Sequence, residues 1–406
     1  MKLKFYLSSF LFILSGILFV NAQEKGEMVF SASKKAEKAV DAPSSTTVID
    51  AKTIENRPTT NVTQLLDNVV GLTLDRQGAN RYNITLRDGA SVFNTTSVVL
   101  LDGRQISTIG LQVFDAANTN LSGLDLEKIE VVRGSGSSAY GAYTNSGVIH
   151  FMSKDPFKHP GTSIEISSGG LANQESMLGK GNWDIFQASL RHAAANDGGT
   201  FGYKINARYS ENGEYEIDEA TALQTGGQLL EKANGYNVDA TLYFRPSSNL
   251  EITAQAGISA REGLSWSEFY AEAFENNENN FFSLKMKSGN LTAQYSVSKS
   301  ESPFDAADQG YYYRTTQTNT FKNTNDIKES QAQIQYDLTL GTTDISVGLD
   351  HKLSSFNTNW NAQASTPQEM AAGGLFGRND GSEMRVYGTY FQTLSLIHIS
   401  EPTRPY

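Results

Sequence analysis

From about Thr162 onwards, apolar and polar side chains alternate along segments of about ten residues. In one of these segments Tyr203, Ile205, Ala207 and Tyr209 alternate with polar or charged neighbours. Successive side chains of a strand point to opposite faces of a sheet, so this spacing places apolar groups on one face and polar groups on the other. The second half of the chain is therefore predicted to be a sheet with one apolar and one wet face.

The lengths of the segments and of their linkers favour a membrane barrel over a soluble sandwich. Ten residues at about 3.3 Å each, tilted by about 45°, span roughly 23 Å, close to the apolar band of a membrane barrel. Some linkers are short (245–249 and 288–290), whereas others are long and polar (211–236 and 300–328). Short turns on one side and long loops on the other are typical of outer-membrane barrels. We predict an antiparallel transmembrane β-barrel over residues 162–394, with about ten strands.

Residues 40–157 follow a different pattern, which predicts a small α+β domain. Thr60 is predicted to cap a short helix that ends at Gly71. Leu124 begins a run that is rich in Gly, Ser and Tyr, lies between two short apolar strands and ends at Lys154. A compact glycine-rich domain ahead of a barrel suggests a plug for its lumen. The predicted elements of this plug are strands at 45–49, 82–87, 98–101, 129–132 and 147–152, and a helical turn at 124–128.

Ten strands create a problem of size, because a domain of over a hundred residues has a radius of gyration of about 13 Å. A barrel of about eight strands is filled by its own side chains, whereas plugged transporters use about 22 strands. Either the plug domain lies outside the lumen or the barrel is incomplete in this chain, and we expect the second. Residues 395–406, SLIHISEPTRPY, abandon the alternation and resemble a translated sequencing adapter. They are interpreted as a non-native tail and excluded from the fold prediction.

The amino terminus has the composition of a secretory signal. Lys2 and Lys4 precede an apolar run from Leu7 to Val20, and Asn21-Ala22 complete a cleavage site. Residues 1–22 are therefore predicted to be a signal peptide, because the run is short for a spanning helix of about 20 residues. Residues 23–39 are polar except around Met28, and they predict an extended, mobile lead.

Composition narrows the function classes. The net charge of −11 argues against nucleic-acid binding, and the absence of cysteine excludes thiolate catalysis and disulfides. The five histidines have no paired ligand spacing, so no metal or cofactor is expected. Residues 134–139 fit the dinucleotide pattern G-x-G-x-x-A, but 140–147 is a poor helix and no βαβ unit follows. An enzyme is therefore not expected, and a surface-exposed β-rich binding or adhesion protein is the alternative to a transporter.

Several plug segments resemble the plug of TonB-dependent receptors of Gram-negative outer membranes. The most specific is IEVVRG at 129–134, followed by SAYG at 138–141 and GVI at 147–149, where that family carries IEVVRGP, LYG and GGVINI. Here Ser135 replaces a proline, Ala139 a leucine and Ser146 a glycine. Residues 84–89 and 99–103 resemble two further elements of that plug. The match is good from about Val40 to Lys154 and looser over the barrel.

The resemblance implies an outer-membrane receptor that binds a scarce large nutrient and imports it with energy transmitted by the TonB complex. The nutrient would be a siderophore–iron complex, haem or a cobalamin-like compound, because about sixteen residues leave no room for the additional sandwich domain usual in carbohydrate-uptake members. The resemblance also implies roles for individual residues. These are a TonB box at Glu27, Met28, Val29, Phe30 and Ser31; plug–barrel contacts at Arg87 and Arg133; and ligand contacts of the plug apex at Asn94, Thr95, Leu111, Gln112 and Phe114.

Overall fold

The structure, a computed structural model, contains a strand-rich sheet and a compact amino-terminal domain. It describes residues 28–34, 37–38, 42, 44–57, 59–76, 82–87, 97–109, 114, 116, 119–134, 140–141, 144–176, 179–213, 232–266, 271–304, 323–341, 343–360 and 382–395. The predicted signal peptide, the tail beyond Ser395 and the predicted site residues Glu27, Asn94, Thr95, Leu111 and Gln112 lie outside these ranges.

The described part of the second half forms one ten-stranded sheet, as the alternation predicts. Every strand pairs antiparallel with the next one along the chain. The strands are β10 (Gly161–Ser176), β11 (Gly179–Ala195), β12 (Phe201–Gly213), β13 (Lys232–Ser247), β14 (Leu250–Trp266), β15 (Ala271–Ser288), β16 (Leu291–Phe304), β17 (Asn323–Leu340), β18 (Thr343–Trp360) and β19 (Ser382–Ser395).

The two faces of this sheet differ in the way expected of a membrane barrel. On β12 the side chain of Lys204 is fully buried on the inner face, whereas its neighbour Ile205 is 41% exposed on the outer face. The same pattern recurs on other strands, where Leu242, Leu284 and Leu349 are exposed. A soluble sandwich would bury its apolar face and expose its polar face. The large exposed apolar surface therefore calls for a covering medium, which lipid supplies.

The strands are longer than the predicted ten residues. They run from 13 residues in β12 to 18 in β15, β17 and β18. Eighteen residues tilted by about 45° span roughly 40 Å, more than the apolar band of about 25 Å. The strand ends therefore project beyond that band. Alternation marks only the part of a strand with an apolar outer face, so it underestimates the length of the strand.

The amino-terminal domain is built on a five-stranded mixed sheet. Its strands lie in the order 45–50 (β3), 126–133 (β8), 147–153 (β9), 97–101 (β6) and 104–105 (β7). Strand β6 runs parallel to β9, and the other neighbours are antiparallel. Two small antiparallel pairs, β1–β2 and β4–β5, accompany it. The strands are β1 (Met28–Val29), β2 (Glu37–Lys38), β3 (Ser45–Asp50), β4 (Leu72–Arg76), β5 (Tyr82–Leu86), β6 (Ser97–Leu101), β7 (Arg104–Gln105), β8 (Leu126–Arg133) and β9 (Gly147–Ser153).

Short helices complete this domain: an α-helix at Ala51–Glu55 and 3-10 helices at Val62–Leu66 and Gly123–Asp125. No helix within the described ranges has the length and apolar character needed to cross a membrane.

Both faces of the five-stranded sheet are covered. Ile129 and Val131 of β8 point into the larger core, which the short helices close with Leu65 and Leu66. Val132, the next residue along β8, points to the other face, into a smaller core. That second face is covered by residues 28–34, here called the lead segment, whose Ala32 belongs to the smaller core. The lead was expected to be extended, as Met28–Val29 of β1 are, but the expectation of a solvated lead did not include the burial of Ser31, Ala32 and Ser33.

Two local predictions in the plug also need correction. The helix near Thr60 is capped by Asn61, whose side chain accepts a hydrogen bond from the Thr63 amide while Gln64 reaches back to complete a capping box. The predicted helical turn at 124–128 is limited to Gly123–Asp125, because Leu126 already begins β8. Both errors arise where neighbouring residues have similar local preferences.

Gly147, at the start of β9, tolerates no side chain. Its φ of +144° is rare for other residues, and a Cβ there would lie 2.0 Å from the Val132 carbonyl oxygen. We expect Gly147→Ala to destabilise the plug by about 2 kcal/mol or more, because the β8–β9 pair must separate. Gly123→Ala, with no atom within 4 Å of the added Cβ, is the control. Equal urea midpoints of the two variants in limited proteolysis would contradict this account.

Candidate functional site

The plug lies against the polar inner face of the sheet, and its most buried attachment is at Asp125. One carboxylate oxygen of Asp125 accepts a hydrogen bond from Arg191 Nε of β11 at 2.7 Å, and the other accepts one from Lys204 Nζ of β12 at 2.8 Å. The side chains of the two cations are 3% and 0% exposed. Buried charges of this kind are tolerated only when paired. Asp125 therefore anchors the plug to β11 and β12 of the ten-stranded sheet, here called the wall.

The same anchor includes the connection between plug and wall. Lys204 Nζ also donates to Ser153 Oγ at 2.6 Å, and Arg191 Nη1 donates to the His159 carbonyl at 2.9 Å. A third wall residue, Asn206, donates from its amide to Asp125 at 3.0 Å. The end of the plug that leads into β10 is thus fixed by charged hydrogen bonds. Sequence reasoning missed this cluster, although a lysine and an arginine at inward positions of alternating strands were a visible signal.

Further strands hold the plug by hydrogen bonds to its backbone. On β13 the Asn237 amide donates to the Thr119 carbonyl at 2.7 Å, and on β17 Glu329 accepts from the Ile109 amide at 2.6 Å. On β18 Lys352 donates to the Tyr140 carbonyl at 3.2 Å. Backbone groups that face a lumen need such partners once water is excluded. The contacts therefore extend round the inner face from β11 to β18.

The two arginines predicted to contact the barrel lie together at one edge of the plug. Arg133 donates to the Val70 carbonyl and to Ser45 Oγ, both at 2.9 Å. Arg87 has a φ of +53°, and its side chain, like that of Arg133, lies beside Gly71. Of the ion pairs formed within the described ranges, none includes either arginine. Their contact with the barrel therefore stays a prediction.

The described residues of the predicted TonB box lie in the lead segment and are bound to the plug. The amides of Phe30 and Ser31 donate to one oxygen of the Glu130 carboxylate at 2.9 and 2.6 Å. Glu130 is fully buried and belongs to the IEVVRG motif. Lys128 forms an ion pair with this carboxylate and also donates to the Met28 carbonyl at 3.0 Å. Two side chains of β8 therefore hold the backbone of the box.

His150 of β9 supports the same segment from behind. Its Nε2 accepts from the Gly103 amide at 3.0 Å, so the ring proton lies on Nδ1, which is 2.9 Å from Ser31 Oγ. Burial lowers the pKa of His150 to about 4, although the negative charge of Glu130 acts to raise that pKa. Burial alone would raise the pKa of Glu130, but donors from Lys128, Ser31 and Phe30 hold that pKa below its usual value. At neutral pH the segment is bound by a charged carboxylate and a neutral imidazole.

The lead segment also touches the wall through Lys34. Its Nζ lies 4.7 Å from the ring centroids of Tyr140 in the plug and Tyr390 in β19. Such stacking of an ammonium between two aromatic faces is favourable, most of all where water is excluded.

The plug apex is described only in part. Phe114 is buried in the larger core, with its ring centroid 6.1 Å from that of Phe151. Phe114 therefore packs within the core of the plug. The other four predicted apex residues lie outside the described ranges.

In this structure a globular domain lies against the polar face of a sheet whose other face is apolar. This arrangement defines a class of proteins, the plugged membrane barrels. Residues 38–148 match the family model of the TonB-dependent receptor plug domain. These residues therefore form a plug domain of the TonB-dependent receptor type, and the ten-stranded sheet follows it.

Relatives and solved structures agree with this assignment. The chain is 24% identical to the vitamin B12 transporter BtuB of Vibrio vulnificus (strain CMCP6) over 63% of this chain and 46% of that protein. It is 30% identical to the hemin receptor of Yersinia enterocolitica over 32% of this chain and 18% of that protein. A variant of the ferric enterobactin receptor of Pseudomonas aeruginosa has a TM-score of 0.61 at 16% identity, over 87% of this chain and 56% of the other. The chain thus spans about half the length of such proteins.

Proposed function

We propose that the protein is an outer-membrane receptor that binds a metal chelate, haem or a cobalamin-like compound and imports it into the periplasm. The single observation that carries this proposal is the plug bound to the polar inner face of a sheet with an apolar outer face. That arrangement blocks a pore and has to be altered before cargo passes. The names of the relatives, a vitamin B12 transporter and a hemin receptor, support this class of cargo.

The energy for import is proposed to arrive through the TonB box at residues 27–31, gripped by the TonB complex. An outer membrane holds no ATP, so work on the plug has to come by mechanical contact. The position of the lead segment supports this role, because the Ser31 amide is bound to Glu130 of β8 and the Ser31 hydroxyl to His150 of β9. A pull on the segment would therefore act on the middle of the plug sheet.

Arg87 and Arg133 are proposed to contact carboxylates of the barrel in the assembled receptor. Both lie near the surface at one edge of the plug, where a guanidinium fork can reach a wall residue.

The experiment that tests the function is uptake by cells with this receptor as their sole route for each compound. Ferric enterobactin, haemin and cyanocobalamin are supplied separately, with and without a functional TonB complex. We expect energised uptake of one of the three compounds. Failure to bind any of the three would remove the proposed cargo class.

The location and the rival adhesion function are tested by a gel. A membrane barrel resists unfolding in detergent without heat, so we expect the unheated protein to migrate differently from the boiled protein. Identical migration, together with recovery of the protein from the periplasm, would favour the β-rich binding protein instead.

A further inference from the structure

The outer face of the ten-stranded sheet carries two rows of like charges. Lys299 of β16 lies directly opposite Lys328 of β17, and these two residues are here called the lysine pair. Two residues further along β16, Glu301 lies directly opposite both Glu278 of β15 and Asp326 of β17, and these three form the carboxylate row. Side chains in such positions have Cβ atoms about 4.5–5.5 Å apart, and like charges at that separation destabilise a sheet. The lysine pair is therefore unfavourable unless an anion joins it.

The lysine pair lies at the edge of the apolar band of the sheet. On β17 the outer face begins at Leu340, continues through the exposed side chains of Tyr336 and Ile334, and reaches Lys328 after twelve residues. Twelve residues at about 3.3 Å each, tilted by about 45°, span roughly 28 Å, whereas the apolar band is about 25 Å tall. The ammonium groups are thus at the level where lipid headgroups begin, with the apolar parts of their side chains lying along the band.

This edge of the band belongs to the outer leaflet. The linker between β16 and β17 at this end is long, from Phe304 to Asn323, whereas the turns at 288–291 and 340–343 at the other end are short. Long loops of outer-membrane barrels face the cell exterior, and short turns face the periplasm. The outer leaflet of such a membrane consists mainly of a glycolipid that carries phosphate groups on its headgroup.

We propose that the lysine pair binds a phosphate of this glycolipid, while the acyl chains of the lipid lie on the apolar outer face of β16 and β17. A phosphate between two ammonium groups removes their mutual repulsion and accepts charged hydrogen bonds from both. Lys328 takes part in none of the ion pairs formed among the described residues, so its charge is open to such a ligand. The inference rests on the proposed outer-membrane location and not on the proposed cargo or energy coupling.

The carboxylate row limits where the phosphate can lie. It is further from the apolar band than the lysine pair, so it repels a phosphate that moves outwards and confines it to the level of the lysines. Glu301 also forms an ion pair with Lys299, and the two side chains are 39% and 43% exposed. Glu301 therefore competes with the phosphate for Lys299. Removal of the Glu301 charge is expected to strengthen lipid binding, whereas removal of either lysine charge is expected to weaken it.

The test is lipid binding by the full receptor, purified in detergent and titrated with lipid A, the phosphorylated anchor of the glycolipid. Bound lipid is counted by native mass spectrometry. One lysine near an anionic lipid surface changes the affinity by about fivefold. We therefore expect Lys299→Gln and Lys328→Gln each to weaken binding about fivefold and the double variant to weaken it about 25-fold. Glu301→Gln should bind lipid A more tightly than the unaltered receptor.

Lys232→Gln is the matched control. Lys232 also points outwards from its strand, but it is paired with Glu211 at 2.6 Å and lies opposite Gly213 instead of another lysine. Its substitution should change the affinity by less than twofold. Two further probes identify the ligand group. Lipid A stripped of its phosphates should bind as weakly as lipid A binds to the double variant, and inorganic phosphate at the same concentration should not compete, because it has no acyl chains.

Four results would overturn the proposal. Unchanged binding by the double variant or equal binding of the stripped lipid would exclude a phosphate site at the lysine pair. Equal weakening by Lys232→Gln and Lys328→Gln would mean attraction to the charged rim as a whole, and competition by inorganic phosphate would mean a site for free anions. If the double variant does not fold, as judged by heat-dependent migration on a gel, the two single variants decide. Failure of all cargo uptake would remove the proposed transport function but would leave the lipid result standing.

Discussion

Val29→Pro is expected to abolish energised uptake while leaving cargo binding intact. Proline lacks the amide donor that an extended segment needs for pairing with a partner strand, and its ring restricts the backbone at the centre of the predicted box. Val29 lies in β1 of the lead segment and is 1% exposed. Uptake and equilibrium binding are measured with whichever of the three compounds the receptor recognises.

Val29→Ala is the matched control for this prediction, because it shortens the side chain but keeps the backbone donor. It should preserve most of the uptake, which separates backbone pairing from side-chain packing. Full uptake by Val29→Pro would refute the assignment of the TonB box. Loss of cargo binding in that variant would show instead that the substitution disturbs the whole plug.

Asp125→Ala is expected to destabilise the plug by about 3–5 kcal/mol. The substitution leaves Arg191 and Lys204 buried without their shared carboxylate, and an uncompensated buried charge costs about this much. For a urea dependence of about 2 kcal/mol per molar, the midpoint of plug unfolding should fall by roughly 2 M. That midpoint is measured with a thiol-reactive label on Val99→Cys. It is the urea concentration at which this buried cysteine becomes half-reactive in the otherwise intact protein.

Glu55→Ala provides the comparison, because Glu55 also forms an ion pair with a plug lysine, Lys154, but is 61% exposed. Exposed pairs contribute about 0–1 kcal/mol, so the midpoint should move by less than about 0.5 M. Similar shifts for Asp125→Ala and Glu55→Ala would contradict the account of Asp125 as a buried anchor.

Local patterns were enough to predict the sheet and most plug strands. The alternation around Ile205 has a period of two residues, which any window along a strand reveals. The apolar run at 98–101 likewise predicts β6, which the structure contains. Such features depend only on neighbouring residues, so they can be recognised without knowledge of the tertiary structure.

The contacts that hold the plug could not be predicted in this way. Asp125 is 66 positions from Arg191 and 79 from Lys204, and no local pattern pairs residues so far apart. The docking of Ser31 on Glu130 has the same cause, with 99 positions between them. A short polar lead carries little apolar signal, so its burial was also missed. The motif around Glu130 carried the resemblance to the plug domain, but it did not show which segment the carboxylate would bind.

The position of Lys34 has a consequence for the way the plug is held. Because this ammonium lies 4.7 Å from the rings of Tyr140 in the plug and Tyr390 in the last described strand, the lead segment joins the plug to the ten-stranded sheet. If the lead segment left the plug, this link would be lost, whereas the ion pairs of Asp125 with Arg191 and Lys204 would remain. The two parts would then stay joined at β11 and β12.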